Sequence, residues 1–363
     1  MFWNGKVGKN LKLSRKSCLT LVLLIAIHAS TASAQLLEQE SATEVWDRSS
    51  AMASLHSVDF KTAVDDLINA ASLADGDNTI QSLISLSRRN DWPQPAREAA
   101  LLQFTRSLAT RSSQSVDPDI LQYLSEYQTQ VMVFGEHGSE QPLFNIRAAA
   151  AGVENGWLRI DSARQASLIL NESPGNWLAM FSTALHPAQR SGYLDALQEA
   201  DPATILAVQN QSLQLPGDSP ELTAVLAATI FLTNDPATAQ WLLLSGKGAP
   251  LAPALNKLSV TFSIDELARL LEFAIQQAPL ETAALAIAAW GPQLSSQPAI
   301  QQLLLDTLAE PTLGSSAALA LANKPNIQTI RELQLLSNSE GLGAERARMA
   351  LEINRKKLIL EQR

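Results

Sequence analysis

The chain has 363 residues, with 27 Lys and Arg against 36 Asp and Glu, a net charge of −9 and a hydrophobic content of 46%. That length is enough to bury a sizeable core, and the acidic balance argues against non-specific binding to nucleic acid or anionic membrane, since neither polyanion gains from meeting more negative charge. A single Cys, Cys18, excludes a disulfide within the chain.

The first eighteen residues carry Lys6, Lys9, Lys12, Arg15 and Lys16 without an acid, and the apolar run Leu19 to Ala29 follows. A positive stretch followed by about eleven apolar residues is the pattern of a secretory leader, and the run is well short of the roughly 20 residues that span a bilayer. Ala32-Ser33-Ala34 offers an A-x-A cleavage site, so residues 1–34 are the expected signal peptide, cut between Ala34 and Gln35. Cys18 precedes the apolar run, whereas a lipid-anchored precursor would place its Cys after it. Cleavage removes five positive charges and the only Cys. The mature chain is then more acidic still, folds on packing alone, and has the periplasm as its expected location.

From Gln35 onward Ala and Leu abound, aromatics are few and β-branched runs are nearly absent, which predicts an all-α chain. In chain order, PAREAALLQF (Pro95 to Phe104) predicts a helix, and Asp117-Pro118 marks the start of another. Gln130 to Ile146 breaks the helical period and reads either as a short hairpin around Gly135 and Gly138 or as a long inter-repeat loop, with the loop preferred because a lone two-stranded hairpin is marginal. PLFNIRAAAAG (Pro142 to Gly152) resumes the helical pattern. Asp201-Pro202, Ser219-Pro220-Glu221 and Asp235-Pro236 pair an N-cap with proline in the first turn, and PELTAVLAATIFL (Pro220 to Leu232) follows the second of them. Two Gly and two Pro in Ser245 to Pro253 suggest a joint between an N-terminal repeat segment, 35–245, and a C-terminal one, 254–363.

Ser263-Ile264-Asp265-Glu266 is a capping box, and Ile264, Leu267, Leu271, Ala274 and Ile275 form the apolar face of the helix it opens. PLETAALAIAAWGP (Pro279 to Pro292) is apolar on almost every side, so it is expected to be buried on most of them and to stop at Gly291-Pro292. First helices then begin near Ser263, Gln297 and Pro325, and second helices near Pro279, Gly314 and Gly343, at intervals of 34 and 28 and of 35 and 29 residues. Such a loose period indicates stacked helix pairs. In the last helix, Leu342, Met349, Ile353 and Leu360 are the expected inward stripe.

NDWPQPAREAALLQF, with Asp91, Pro93, Pro95, Arg97, Ala99, Ala100 and Leu101, resembles the inter-helix turn and second helix of a HEAT-type repeat, and PLETAALAIAAWG and GAERARMALEI are similar. The resemblance covers about half of the mature chain and is degenerate, since several copies lack the Asp before the turn and the Arg after it. It implies a right-handed α-solenoid of the HEAT or armadillo kind, usually a binding surface, and no catalytic residue.

Signatures of chemistry are sparse. His56, His137 and His186 lie far apart, and Glu136-His137 with Glu140 reads as a solvated turn in place of a metal site. Asp75-Gly76-Asp77-Asn78 opens like a calcium loop, but Ile80 stands where Gly is needed. Gly246-Lys247-Gly248 lacks the spacing of a phosphate loop. Glu40-Ser41 is the one feature favouring an all-α envelope enzyme acting on glycan, such as a lytic transglycosylase, and the downstream elements of such enzymes are missing. No cofactor is expected. Trp241 and Trp290 are expected in the core, whereas Trp92 and Trp157 lie beside turns and are candidate binding residues. Arg355, Lys356 and Lys357 are the other candidates, either complementing a helix dipole or forming a positive patch on an acidic protein. These features together favour a non-enzymatic interaction protein whose partner is a protein or a cell-envelope component.

Overall fold

The computed structural model describes residues 43–71, 76–216, 218–323 and 325–361. The expected cleavage site at Ala34 and Gln35, and Glu40-Ser41, lie outside them. Among the described residues there are eighteen α-helices and three short strands, and the chain divides into two compact units, one ending at Glu154 and the other beginning at Asn155. The all-α expectation holds apart from one small sheet.

The first unit holds β1 (Glu44–Val45), α1 (Arg48–Ser54), α2 (Phe60–Ala70), α3 (Gly76–Ser87), α4 (Gln94–Ser107), α5 (Pro118–Glu126), β2 (Val131–Phe134) and β3 (Glu140–Pro142). The helix α4 is the expected PAREAALLQF element, and it packs on α1, α2, α3 and β2. The expected loop at 130–146 is instead a hairpin, with β2 antiparallel to β3. A hairpin alone would be marginal, but β1 adds a parallel third strand, with Glu44 opposite Val131, and Val131 and Phe144 close a small core with Ala99. The missing signal was the pairing of segments some ninety residues apart, which no local pattern reports.

The helix α6 (Ile146–Glu172) runs across the division between the units. The second unit continues with α7 (Pro174–Thr183), α8 (Pro187–Gln198), α9 (Pro202–Gln214), α10 (Pro220–Thr233), α11 (Pro236–Ser245) and α12 (Leu251–Thr261). It ends with α13 (Ile264–Gln277), α14 (Leu280–Leu294), α15 (Pro298–Thr307), α16 (Gly314–Asn323), α17 (Ile327–Ser337) and α18 (Leu342–Glu361). Several neighbours in sequence pack together, among them α9 with α10, α13 with α14, α15 with α16 and α17 with α18, and α8, α10, α12, α14, α16 and α18 form an unbroken series in which each packs on the next. This is a stacked-helix arrangement. The expected starts are present: Asp117, Asp201, Ser219 and Asp235 accept first-turn backbone N–H groups, and Ser263 with Glu266 closes a full capping box.

The helix α10 is the most enclosed, with no exposed residue between Glu221 and Phe231. It stands between two cores, giving Val225 to one built on Trp177, Phe181 and Tyr193, and Leu222, Leu226 and Ile230 to a larger one that runs on to Ala350. The larger core continues through Leu243, Leu251 and Leu255, so the apolar packing is unbroken across Ser245 to Pro253. In the first of these cores, Trp177 stacks on Phe181 at 5.4 Å and Gly192 lets α8 approach α6, since a Cβ there would meet the Arg159 carbonyl oxygen at 2.2 Å.

Three expectations about faces need correction. The helix α14 buries Ala283, Ala286, Ile287, Trp290 and Leu294 but exposes Leu280 and Leu285, so it has one broad inward face and not burial on most sides. It also runs through Gly291-Pro292 to Leu294, because proline near a helix end removes a single N–H, and bare Gly291 sits where a Cβ would come within 2.7 Å of Ala320. Ile264 is 61% exposed and lies outside the buried face of α13. In α18 the inward stripe is Ala344, Ala347 and Ala350, with Met349 and Ile353 half-buried beside it and Leu342 exposed; small residues let α18 lie close to α16. The Leu360 side chain is outside the description.

Candidate functional site

The candidate residues differ in what their surroundings leave available. Trp92 and Trp157 are each 8% exposed, and Trp92 lies under the Arg89 guanidinium at 4.4 Å from its ring. They belong to different units. Trp290 is fully buried and donates its Nε1 proton to the Leu255 carbonyl at 2.7 Å, as expected of a core residue, and Trp241 packs half-buried against the same core. Arg355 and Lys356 are exposed on α18, but Lys356 pairs with Glu352 at 2.7 Å and holds that carboxyl below the usual range. Lys357 donates to the Asn323 carbonyl at 3.1 Å and to its Oδ1 at 2.7 Å, at the last residue of α16.

Lys357 is one case of a general device. A helix leaves its last carbonyls without partners, and here basic side chains from elsewhere supply them. Arg97 donates to Ser87 at the end of α3, Arg190 to Ala184 after α7, and Arg348 to Ser337 at the end of α17. Arg111 serves Ile68 and Ala71 at the end of α2. Arg346 reaches three carbonyls after α15, those of Leu308, Glu310 and Pro311. Much of the basic charge is therefore engaged at helix ends, which is why a cluster visible in sequence at 355–357 does not translate into three unengaged cations.

Two open clefts lie in the first unit. One, of about 500 Å³, is lined by Asp59, Asp66, Arg89, Asp91 and Trp92, with Asp91 held by Arg89 at 2.9 Å. The other, of about 480 Å³, surrounds the hairpin tip with Arg48, Phe134, Glu136 and His137, and Phe134 is 61% exposed there. Glu136, His137 and Glu140 are all exposed, and among the described residues no group of three or more His, Cys, Asp or Glu side chains could hold a metal ion. His186 is an N-cap, accepting the Ala188 N–H at Nδ1. No described helix is long and apolar enough to cross a membrane.

One buried acid belongs to no sequence motif. Glu98, in α4, is fully buried and accepts hydrogen bonds from the backbone of β2. The available signal was an acid inside AREAALL, where nearly every neighbour is apolar.

On the surface of the second unit, Leu285 of α14 and Leu319 of α16 are both the sixth residue of their helix, 38% and 55% exposed, on helices that pack together. Comparison with known proteins found no matching family model, no similar curated protein and no similar solved structure.

Proposed function

We propose that this is a non-enzymatic, exported scaffold protein of the periplasm, a right-handed HEAT-like α-solenoid of antiparallel helix pairs that offers its repeat surface to a protein or cell-envelope partner. The observation that carries the reading is the outward placement of Leu285 and Leu319 on two second helices that pack against each other. In a stack held by inward Ala and Leu, large apolar side chains kept in water on two neighbouring helices are a feature that folding alone does not require. The leader pattern at 1–34 supports export. The likeness of repeat architecture to binding proteins is a fold-level analogy and supports only the class of function.

A photo-crosslinking residue placed singly at Leu285 and Leu319, with Gln276 as an exposed control, tests this in intact cells. The expected result is one shared adduct from the two leucine positions and none from the control. Absence of adducts at both, or identical adducts at all three, removes the basis for the surface. Release of fragments from purified peptidoglycan by the purified protein would favour the glycan-acting enzyme instead.

A further inference from the structure

The helix α6 is a single run from Ile146 to Glu172, and the division between the two units falls inside it, between Glu154 and Asn155. The residues around that point are poor helix formers. Four alanines, Ala148 to Ala151, are followed by Gly152-Val153-Glu154-Asn155-Gly156, in which only Glu154 ranks with the good formers. Each Gly inside a helix lowers the helix–coil equilibrium roughly two- to fivefold relative to Ala, because it gives up the most backbone freedom and leaves the backbone bare to water.

Farther along the chain, packing accounts for such residues: a Cβ at Gly192 or Gly291 would collide with a neighbouring helix. At Gly152 and Gly156 a Cβ would meet no described atom within 4 Å, so close approach explains neither. The two stand one turn apart on the same face, off the buried stripe of Ile146, Ala150, Val153 and Trp157. Val153 and Trp157 lie on either side of the division and belong to different units. A helix bends most readily with its outer side in water, where carbonyls tilt out and hydrogen bonds lengthen, and two bare turns lack the side chains that would screen those bonds.

We propose that Gly152 to Gly156 is a flexural joint in α6, where the helix opens locally and changes direction, so that its two halves, each belonging to its own unit, do not act as one rigid rod. Two observations meet at this point: glycines that packing does not require, and the boundary between units within the same five residues. The joint is a property of the connecting helix and does not rest on the Leu285 and Leu319 surface.

Two measurements on the full chain test this. In amide hydrogen exchange, corrected for intrinsic rates, the Asn155 and Trp157 amides are expected to exchange at least about tenfold faster than the Ala166 amide farther along the same helix. Gly152→Ala combined with Gly156→Ala is expected to remove most of that difference and to leave Ala166 unchanged. Both substitutions add a methyl group in open space, so the variant keeps its fold. The second measurement is the distance distribution between spin labels attached through Gln114→Cys and Gln276→Cys, exposed positions in different units, with Cys18→Ser to avoid a third label. It is expected to be broad and to narrow in the alanine pair. Equal protection along the wild-type helix, or a distance distribution that the alanine pair leaves unchanged, overturns the joint.

Discussion

The two units meet the same requirement, that buried backbone groups find partners, in different ways. In the first, a sheet joins segments far apart in sequence: β1 pairs with β2, Glu44 opposite Val131, and the edge of β2 is received by the Glu98 carboxylate. In the second, helices satisfy their own interiors and the long-range polar ties reach about one repeat along the chain, as from Trp290 to Leu255, Gln301 to Glu332, Lys357 to Asn323 and Arg346 to Leu308. Damage to a stack of this kind should stay near the lesion, because each pair depends chiefly on its neighbours. A sheet closed by distant segments instead ties together parts of the chain that are far apart in sequence.

Ile287→Asp is the strongest way to break that contrast. Ile287 is fully buried in the larger core, and an unpaired carboxylate placed there should destabilise the helices around it by about 3–5 kcal/mol. Leu285→Asp, two residues away on the exposed side of α14, should change stability by no more than about 0.5 kcal/mol. Chemical denaturation gives both values, and hydrogen exchange shows where the loss falls. The amides of α13 to α16 should lose protection while those of α7 to α9 and of the first unit retain it; uniform loss would mean that the stack unfolds as one body.

That pair of substitutions also shows where the sequence was legible. Helix starts could be read because each is decided by one or two residues: an Asp or Ser oxygen facing free N–H groups, with Pro following. Faces were harder, since Ala and Leu occur all round α14 and α18, and only the neighbours decide which side is inward. Reading Leu342 and Met349 as the stripe of α18 favoured large residues, whereas close packing against α16 selects Ala344, Ala347 and Ala350. The strands escaped because β1 and β2 are short and far apart. For the candidate site, type and position alone could not show that Arg346, Arg348 and Lys357 are held by carbonyls of other helices, since the carbonyl is the one group every residue carries.

Arg346→Met tests the polar half of the comparison at intermediate magnitude. The guanidinium joins three carbonyls beyond α15, and its removal leaves them to water or to nothing, at about 1–2 kcal/mol for a partly exposed, charge-assisted set. Arg346→Lys should recover only part, because an ammonium lacks the planar fork that reaches Leu308, Glu310 and Pro311 together. Loss should appear in α15 and α18 first. An equal loss in α10 would show that the ties extend well beyond one repeat.

The smallest effect is expected at Lys356, and it sharpens the status of the basic end of α18. Lys356 and Glu352 face each other one turn apart, 71% and 65% exposed, so the pair is open to water and to salt. The Lys356 side chain, by hydrogen bond and by charge, holds the Glu352 carboxyl below its usual range. A carboxyl whose folded value is depressed contributes stability that is fully present above its unfolded value and is lost as pH falls through the folded one. Lys356→Gln should therefore lower the melting temperature by no more than about 1 °C at neutral pH and low salt. The difference should vanish in acid, below the folded value of Glu352, and also in 1 M salt, where the Debye length contracts to about 3 Å. Lys357→Gln should behave otherwise, since its bonds to the carbonyl and Oδ1 of Asn323 do not depend on a titrating partner. A Lys357 effect that disappears in acid alongside that of Lys356 would mean that the two lysines act as one charge patch and not as a surface ion pair beside a helix cap.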